Sequence, residues 1–349
     1  MALKVEQYED CLEELKKKHR NLNLMIGNGF SIAYDHEIFS YNALQTFIFE
    51  LKDPVLDELF RIARSKNLEV IMQQLRVVSE LLKAFGDTSD LTQRVEEADS
   101  KLRKGLIDAV KVLHPEHVFK VSDENIAACK DFLNPFLEGY GGVFTTNYDI
   151  LLYWVLMRGE CKNAIDGFGY ERENPEETNP DEFLYSSALT WGPNMSSQNI
   201  HYLHGALHLF DTGIDVEKEQ YDGSGYILEH IEERMDREEY PLFVTAGDGD
   251  DKLSQIVHNQ YLSYCYDQLK SACGSLIVFG FQFGEYDHHI IEAINEAAHH
   301  GRGAAEKLFS VYIGVYSDKD ADYVRSIAHN FKCKVRLFDS SSVKLWGKK

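Results

Sequence analysis

Leu24-Met25-Ile26-Gly27-Asn28-Gly29-Phe30-Ser31 is a short apolar run that ends on a pair of glycines. Together with Asn23 the run reads as a buried strand, and the glycines let the chain turn sharply out of it. Gly141-Gly142-Val143-Phe144-Thr145-Thr146 has the same character. Further strands are expected at 200–204, 242–246, 275–280, 309–315 and 334–338, with helices at 150–158, 252–271, 287–299 and 319–331. Short continuous apolar strands separated by helices predict an α/β fold, built on a mostly parallel sheet with helices on both faces.

The remaining segments attach to that frame. Residues 6–20 read as a short charged helix. Leu91, Val95, Ala98, Leu102, Leu106, Val110 and Leu113 recur at helical spacing, which predicts an amphipathic helix ending before Pro115. Residues 41–140 are therefore expected as a helical insertion after the first strand of a single domain over 1–349. Residues 162–198 are rich in Asn, Pro, Gly, Ser and Glu and read as a lid or binding loop.

Composition narrows the function classes. The chain has 349 residues, 44% hydrophobic and 27% charged, which excludes a disordered chain, a collagen-like fibre and a disulfide-stapled miniprotein. A net charge of −21 argues against broad electrostatic binding of nucleic acid, and leaves room for a local pocket for an anionic cofactor. None of the six cysteines is spaced as C-x-x-C, so zinc ribbons and thioredoxin-type motifs have no support. Scattered cysteines and a polar opening, Met1 to Asp10, predict a cytoplasmic protein with no secretory leader. The longest apolar stretch, around Ser275 to Phe283, is too short to span a bilayer.

Four motifs carry chemistry. Gly27, Gly29 and Ser31 offer close backbone approach to a pyrophosphate, free N–H groups at a helix start and a hydroxyl; the alternative is a tight turn. Thr145, Asn147 and Asp149 follow a strand, where ligands of open α/β sheets bind; the alternative is capping of the next helix. His201, His204 and His208 invite a metal reading, but strand geometry sends His201 and His204 to opposite sides and Gly205 interrupts the spacing to His208. No metal site is expected, and a single catalytic histidine before the glycine fits better. In Gly280-Phe281-Gln282-Phe283-Gly284-Glu285-Tyr286-Asp287, the aspartate suits a ribose hydroxyl or a helix N-cap, and His288 and His289 read as first-turn surface residues. The Gly/Asp turn after Phe243, through Thr245, Gly247 and Asp248, is either part of the same crevice or an ordinary loop.

Taken in order, G-x-G-x-S, T-x-N-x-D, H-G and the late glycine resemble the sirtuin-like NAD-binding core over Leu24 to Asp287. The paired zinc cysteines of sirtuins are absent, so the chain is more similar to zinc-free sirtuin-like NADases of bacterial anti-phage defence. It also resembles a bacterial family with G-N-G-F-S, T-T-N-Y-D, H-G and G-F-x-F-x-x-x-D. The resemblance implies a Rossmann-type fold and hydrolysis of NAD, the substrate, to ADP-ribose and nicotinamide. It implies Asn147, His204 and Asp149 as catalytic. It also implies Gly27, Asn28, Gly29, Phe30, Ser31, Thr145, Gly280, Gln282 and Asp287 as the NAD-binding residues. A homo-oligomer and a hexameric DNA-translocating ATPase partner in a defence complex are further expectations of that resemblance. The competing expectations are a non-catalytic NAD or ADP-ribose sensor, a structural subunit of such a complex, and a protein deacylase.

Overall fold

The computed structural model describes residues 3–35, 54–63, 68–86, 90–114, 117–172, 185–221, 225–244, 249–284, 287–299 and 307–347. Its centre is a seven-stranded sheet of β1 (Val5–Glu6), β2 (Leu22–Ile26), β3 (Val143–Thr145), β6 (Ile200–Tyr202), β10 (Gly274–Phe279), β11 (Leu308–Val315) and β12 (Lys334–Asp339). The strand order is β1-β12-β11-β10-β2-β3-β6, and every pairing in it is parallel. Both β2 and β10 are buried at every residue, as expected for strands covered on two faces.

The topology reverses between β2 and β10. From β2 the chain moves one way to β3, and from β10 it moves the other way to β11 and β12. Crossovers of the usual right-handed sense then put their helices on opposite faces, giving a doubly wound sheet. The crossover helices include α6 (Asp123–Leu137) on β2, and α11 (His288–His299) and α12 (Asp318–Ile327) on β11. One polar side chain joins three strands at the centre: the amide of Asn23 donates to Cys273 O at 2.7 Å and Ser275 O at 3.2 Å, and its carbonyl accepts from Gly142 N at 3.1 Å.

Other helices are α1 (Tyr8–Lys17), α2 (Gly29–Tyr34), α3 (Pro54–Ala63), α4 (Leu68–Ala84), α5 (Asp90–Leu113), α7 (Leu151–Arg158), α8 (Ile227–Asp236), α9 (Gly249–His258) and α10 (Gln260–Lys270). Within 41–140, the segment expected as a helical insertion, α3 to α5 lie in 54–113 and α6 packs on the sheet as a crossover. Residues 41–53 lie outside the described set. Among the described residues no helix is long and apolar enough to cross a membrane.

Three expectations need correction. The stretch 162–198, expected as a loop, carries β4 (Phe168–Arg172) and β5 (Tyr185–Trp191), which pair antiparallel. These strands join β8 (Val216–Lys218), β7 (Gly205–Asp211) and β9 (Pro241–Phe243) in a second, five-stranded antiparallel sheet, order β4-β5-β8-β7-β9. The segment expected as a strand at 242–246 thus belongs to this sheet and not the parallel one. Gly205 is the cause: at φ +77° it turns the chain out of β6 into β7, and a Cβ there would meet Leu242 O at 1.9 Å. Finally, the helix expected at 252–271 is two helices, because Asn259 accepts from Leu262 N at 3.0 Å and caps the second.

Candidate functional site

The carboxyl ends of β10, β2, β3 and β6 form four neighbouring positions, centred on the point where the sheet reverses. Gly280 follows β10, the Gly27-to-Ser31 turn follows β2, Asn147 and Asp149 follow β3, and His204 follows β6. Backbone bonds carry the row across: Gly27 N donates to Phe279 O, Thr146 N to Ile26 O and Leu203 N to Thr145 O, at 2.8–3.1 Å. This is where ligands of open α/β sheets bind. Motifs up to 253 residues apart in sequence, Gly27 to Gly280, are brought together there.

The glycines of the first turn are required by backbone packing. A Cβ on Gly29 would lie 2.5 Å from Gly280 Cα, and one on Gly27 would lie 2.6 Å from Gly280 O. Gly280 itself is at φ +70° and meets Gly29 in return. Three of the N–H groups expected here are engaged. Gly29 N donates to Gly280 O, Phe30 N to Gly27 O and Ser31 N to Asn28 O, at 2.8–3.1 Å. Phe30 is a core residue: its ring lies 4.9 Å from that of Trp346, whose Nε1–H donates to Phe30 O at 2.9 Å. Asn28 is half-buried in the turn and Gln282 is exposed just beyond Gly280.

Ser31, expected to face a phosphate, instead joins two other motif residues. Its hydroxyl donates to Asp149 Oδ2 at 2.5 Å and accepts from Asn147 Nδ2 at 3.0 Å. Asp149 Oδ1 accepts from Leu151 N at 3.0 Å, so the carboxylate also supports the start of α7, the capping role that was the alternative. Thr145 is wholly buried, and its hydroxyl accepts from Asn147 N at 3.1 Å. The amide of Asn147 is thus fixed at its backbone and its nitrogen, while its Oδ1 is buried with no partner. Burial lifts the Asp149 carboxyl to about 6, against the pull of its Ser31 and Leu151 hydrogen bonds.

The three clustered histidines go three ways. His201 stacks on Phe144 with centroids 4.8 Å apart and meets the Gln198 amide. His208 lies between the rings of Tyr153 and Tyr202, with both nitrogens buried and unpartnered. His204 places Nε2 2.9 Å from Nε2 of His289, on the first turn of α11. His289, expected on the surface, is 1% exposed. The reason is helical phase: His289 falls on the buried stripe with Ala293 and Ala297, four and eight residues on. That spacing was the signal available in the sequence. Burial holds His201 at about 3 and His289 at about 4, and His204 and His208 well below the usual range.

Asp287 precedes α11. Its Oδ2 accepts from Gly284 N at 3.2 Å and its Oδ1 pairs with Lys252 Nζ at 2.8 Å. Lys252, on α9, is a charged neighbour of the histidine pair. The Gly/Asp turn at 245–248, with Glu285 and Tyr286, lies outside the described residues. The row thus offers a fixed carboxamide, a buried carboxylate behind it and a neutral imidazole one strand away. Those groups can order a hydroxyl or water and accept a proton from it.

The family model described as a domain of unknown function (DUF4917) matches residues 24–346. The chain therefore belongs to the DUF4917 family. No curated protein matches it.

Proposed function

We propose that this DUF4917 protein is an NAD glycohydrolase, cleaving NAD to ADP-ribose and nicotinamide. One observation carries the reading: at the reversal point of the sheet, Ser31 and Thr145 fix Asn147, and its Oδ1 has no partner. A buried polar atom left unpaired costs about 1–3 kcal/mol, a cost that a bound hydroxyl or water relieves.

Glycosidic cleavage runs through an oxocarbenium-like state. Nicotinamide leaves as a neutral base, so its departure needs no acid. The machinery required is a group to order the ribose or water, a base, and negative charge near the developing cation. Asn147 supplies the first, His204 the second and Asp149, through Ser31, the third. Asn28 and Gln282 flank the paired glycine turns and are the side chains that would meet phosphate, since the N–H groups of Gly27, Gly29, Phe30 and Ser31 are engaged. The setting in anti-phage defence, self-association and an ATPase partner rest on the resemblance alone.

A second reading is a sensor that binds NAD or ADP-ribose without turnover. The burial of Asn147, Ser31 and Asp149, at 7%, 0% and 2% exposure, favours it. Calorimetric titration with NAD, followed by chromatography of the same sample for nicotinamide, separates the two. Heat with nicotinamide supports the hydrolase, heat without it supports the sensor, and no heat contradicts both.

A further inference from the structure

We propose that His289 is a positioning residue for His204, fixing its ring and tautomer so that Nδ1 of His204 is the nitrogen that accepts a proton. The inference rests on the hydrolase reading for what the proton is used for, and on geometry alone for the pairing.

His204 has two ring nitrogens, and the 2.9 Å contact commits Nε2 to His289. Nδ1 is the one left for a substrate. The ring cannot readily turn to exchange them. Tyr148 lies near-parallel to His204 (6.4 Å, 27°), His289 meets His204 edge to edge through the Nε2–Nε2 contact (5.2 Å, 29°), and Tyr266 lies near-parallel to His289 (6.4 Å, 29°). Both outer tyrosines are anchored to backbone: Tyr148 Oη donates to Val244 O at 2.5 Å and Tyr266 Oη to His289 O at 2.7 Å. The imidazole pair is buried, 4% and 1% exposed, with these two tyrosines as neighbours.

Two neutral imidazoles share one proton across such a contact. With the proton on Nε2 of His204, donating to Nε2 of His289, Nδ1 of His204 carries a bare lone pair and is a base. When Nδ1 takes a proton, the same contact becomes a charge-assisted bond from an imidazolium, shorter and stronger than before. His289 then does for His204 what a carboxylate does for the histidine of a catalytic triad, with no charge of its own. In the hydrolysis, one O–H bond of water breaks and its proton goes to Nδ1. The water oxygen bonds to the anomeric carbon, and the carbon–nitrogen bond breaks with its electron pair leaving on nicotinamide. His204 afterwards releases the proton to solvent.

The charged surroundings set the range in which the pair works. Lys252 on α9 opposes protonation of both rings, while its partner Asp287 and the exposed His288 flank His289 with opposite effects. Tyr148 and Tyr266 flank the pair with hydroxyls that donate to carbonyls.

The test is nitrogen-15 NMR of the histidine rings in the full chain, with His204 signals assigned by their loss in His204→Gln. The wild type is expected to show His204 neutral and protonated on Nε2 from pH 6 to 8. His289→Phe keeps an aromatic ring at the site but removes the nitrogen, and should give a mixture of the two tautomers with the fold retained. His289→Gln, whose side-chain carbonyl can accept, should restore the Nε2–H form. Nicotinamide release should fall about 10–100-fold in His289→Phe through kcat with KM unchanged, as for loss of an orienting partner, and recover in part in His289→Gln. A wild-type His204 protonated on Nδ1, or a tautomer unchanged in His289→Phe, overturns the proposal. If the wild type releases no nicotinamide, the hydrolase reading fails while the NMR arm still decides the pairing.

Discussion

Asn147 donates its side-chain amide to the hydroxyl of Ser31 across 3.0 Å, although 116 residues separate them. Ser31 passes the link on to Asp149. A serine after the β2 turn and two residues after β3 thereby become one unit, at the point where the sheet reverses direction. The serine looked like a phosphate ligand in sequence and is a bridge in three dimensions.

Removing that bridge should be felt in both neighbours. Ser31→Ala leaves the Asn147 amide and the buried Asp149 carboxylate each short of a partner, at a cost of about 1–3 kcal/mol. Thermal unfolding is expected to show a melting temperature several degrees below the wild type, and any NAD turnover should fall with it. An unchanged melting temperature would mean that the bridge contributes nothing.

The glycine turn makes a different prediction. Since Gly29 lies against the backbone of Gly280, Gly29→Val should destabilise the whole fold rather than weaken one ligand. Overpacking of this kind typically costs about 1–3 kcal/mol, and here the obstacle is backbone that cannot turn aside. Circular dichroism on heating checks it. A Gly29→Val protein that melts like the parent would place Gly280 farther away than described.

Acid should unfold this protein steeply. His201 and His289 are held at about 3 and about 4 in the fold, and His204 and His208 are also depressed. A depressed histidine contributes stability that is full above its unfolded value near 6.5 and is lost as pH falls towards the folded value. Each buried neutral ring should therefore lose about 2 kcal/mol between pH 7 and pH 5. Asp149, raised from 3.8 to about 6, runs the other way. Its contribution is full below 3.8 and is lost as pH rises through 6, so it offsets part of one histidine. Guanidinium unfolding at pH 7 and pH 5 should show the fold less stable at pH 5 by several kcal/mol. Equal stabilities would mean that the rings are hydrated or paired with acids in the folded protein.

The parallel sheet was legible because β2, β10 and β11 are short continuous apolar runs, a pattern that survives translation into structure with boundaries shifted by one or two residues. The second sheet was not. β4 and β5 sit in a segment dense in turn-forming residues, and their pairing with β7 and β8 is long-range, which local pattern does not report. That Asn147, Asp149 and His204 lie at neighbouring strand ends was legible because residues that follow parallel strands converge by topology. His289 was missed because it stands beside the exposed His288, and only its spacing to Ala293 and Ala297 gives its orientation. The role of Ser31 was missed because a hydroxyl's partner is a matter of tertiary contact.

The account stands most directly on nicotinamide release from NAD by the wild type, Asn147→Ala, His204→Ala and the double variant, each expressed per folded molecule because both side chains are buried. If the two residues act as a unit, each single variant should lose about 10²–10⁴-fold, and the double variant should be hardly worse than either, since coupled residues do not add. Turnover by folded Asn147→Ala equal to that of the wild type would contradict the account.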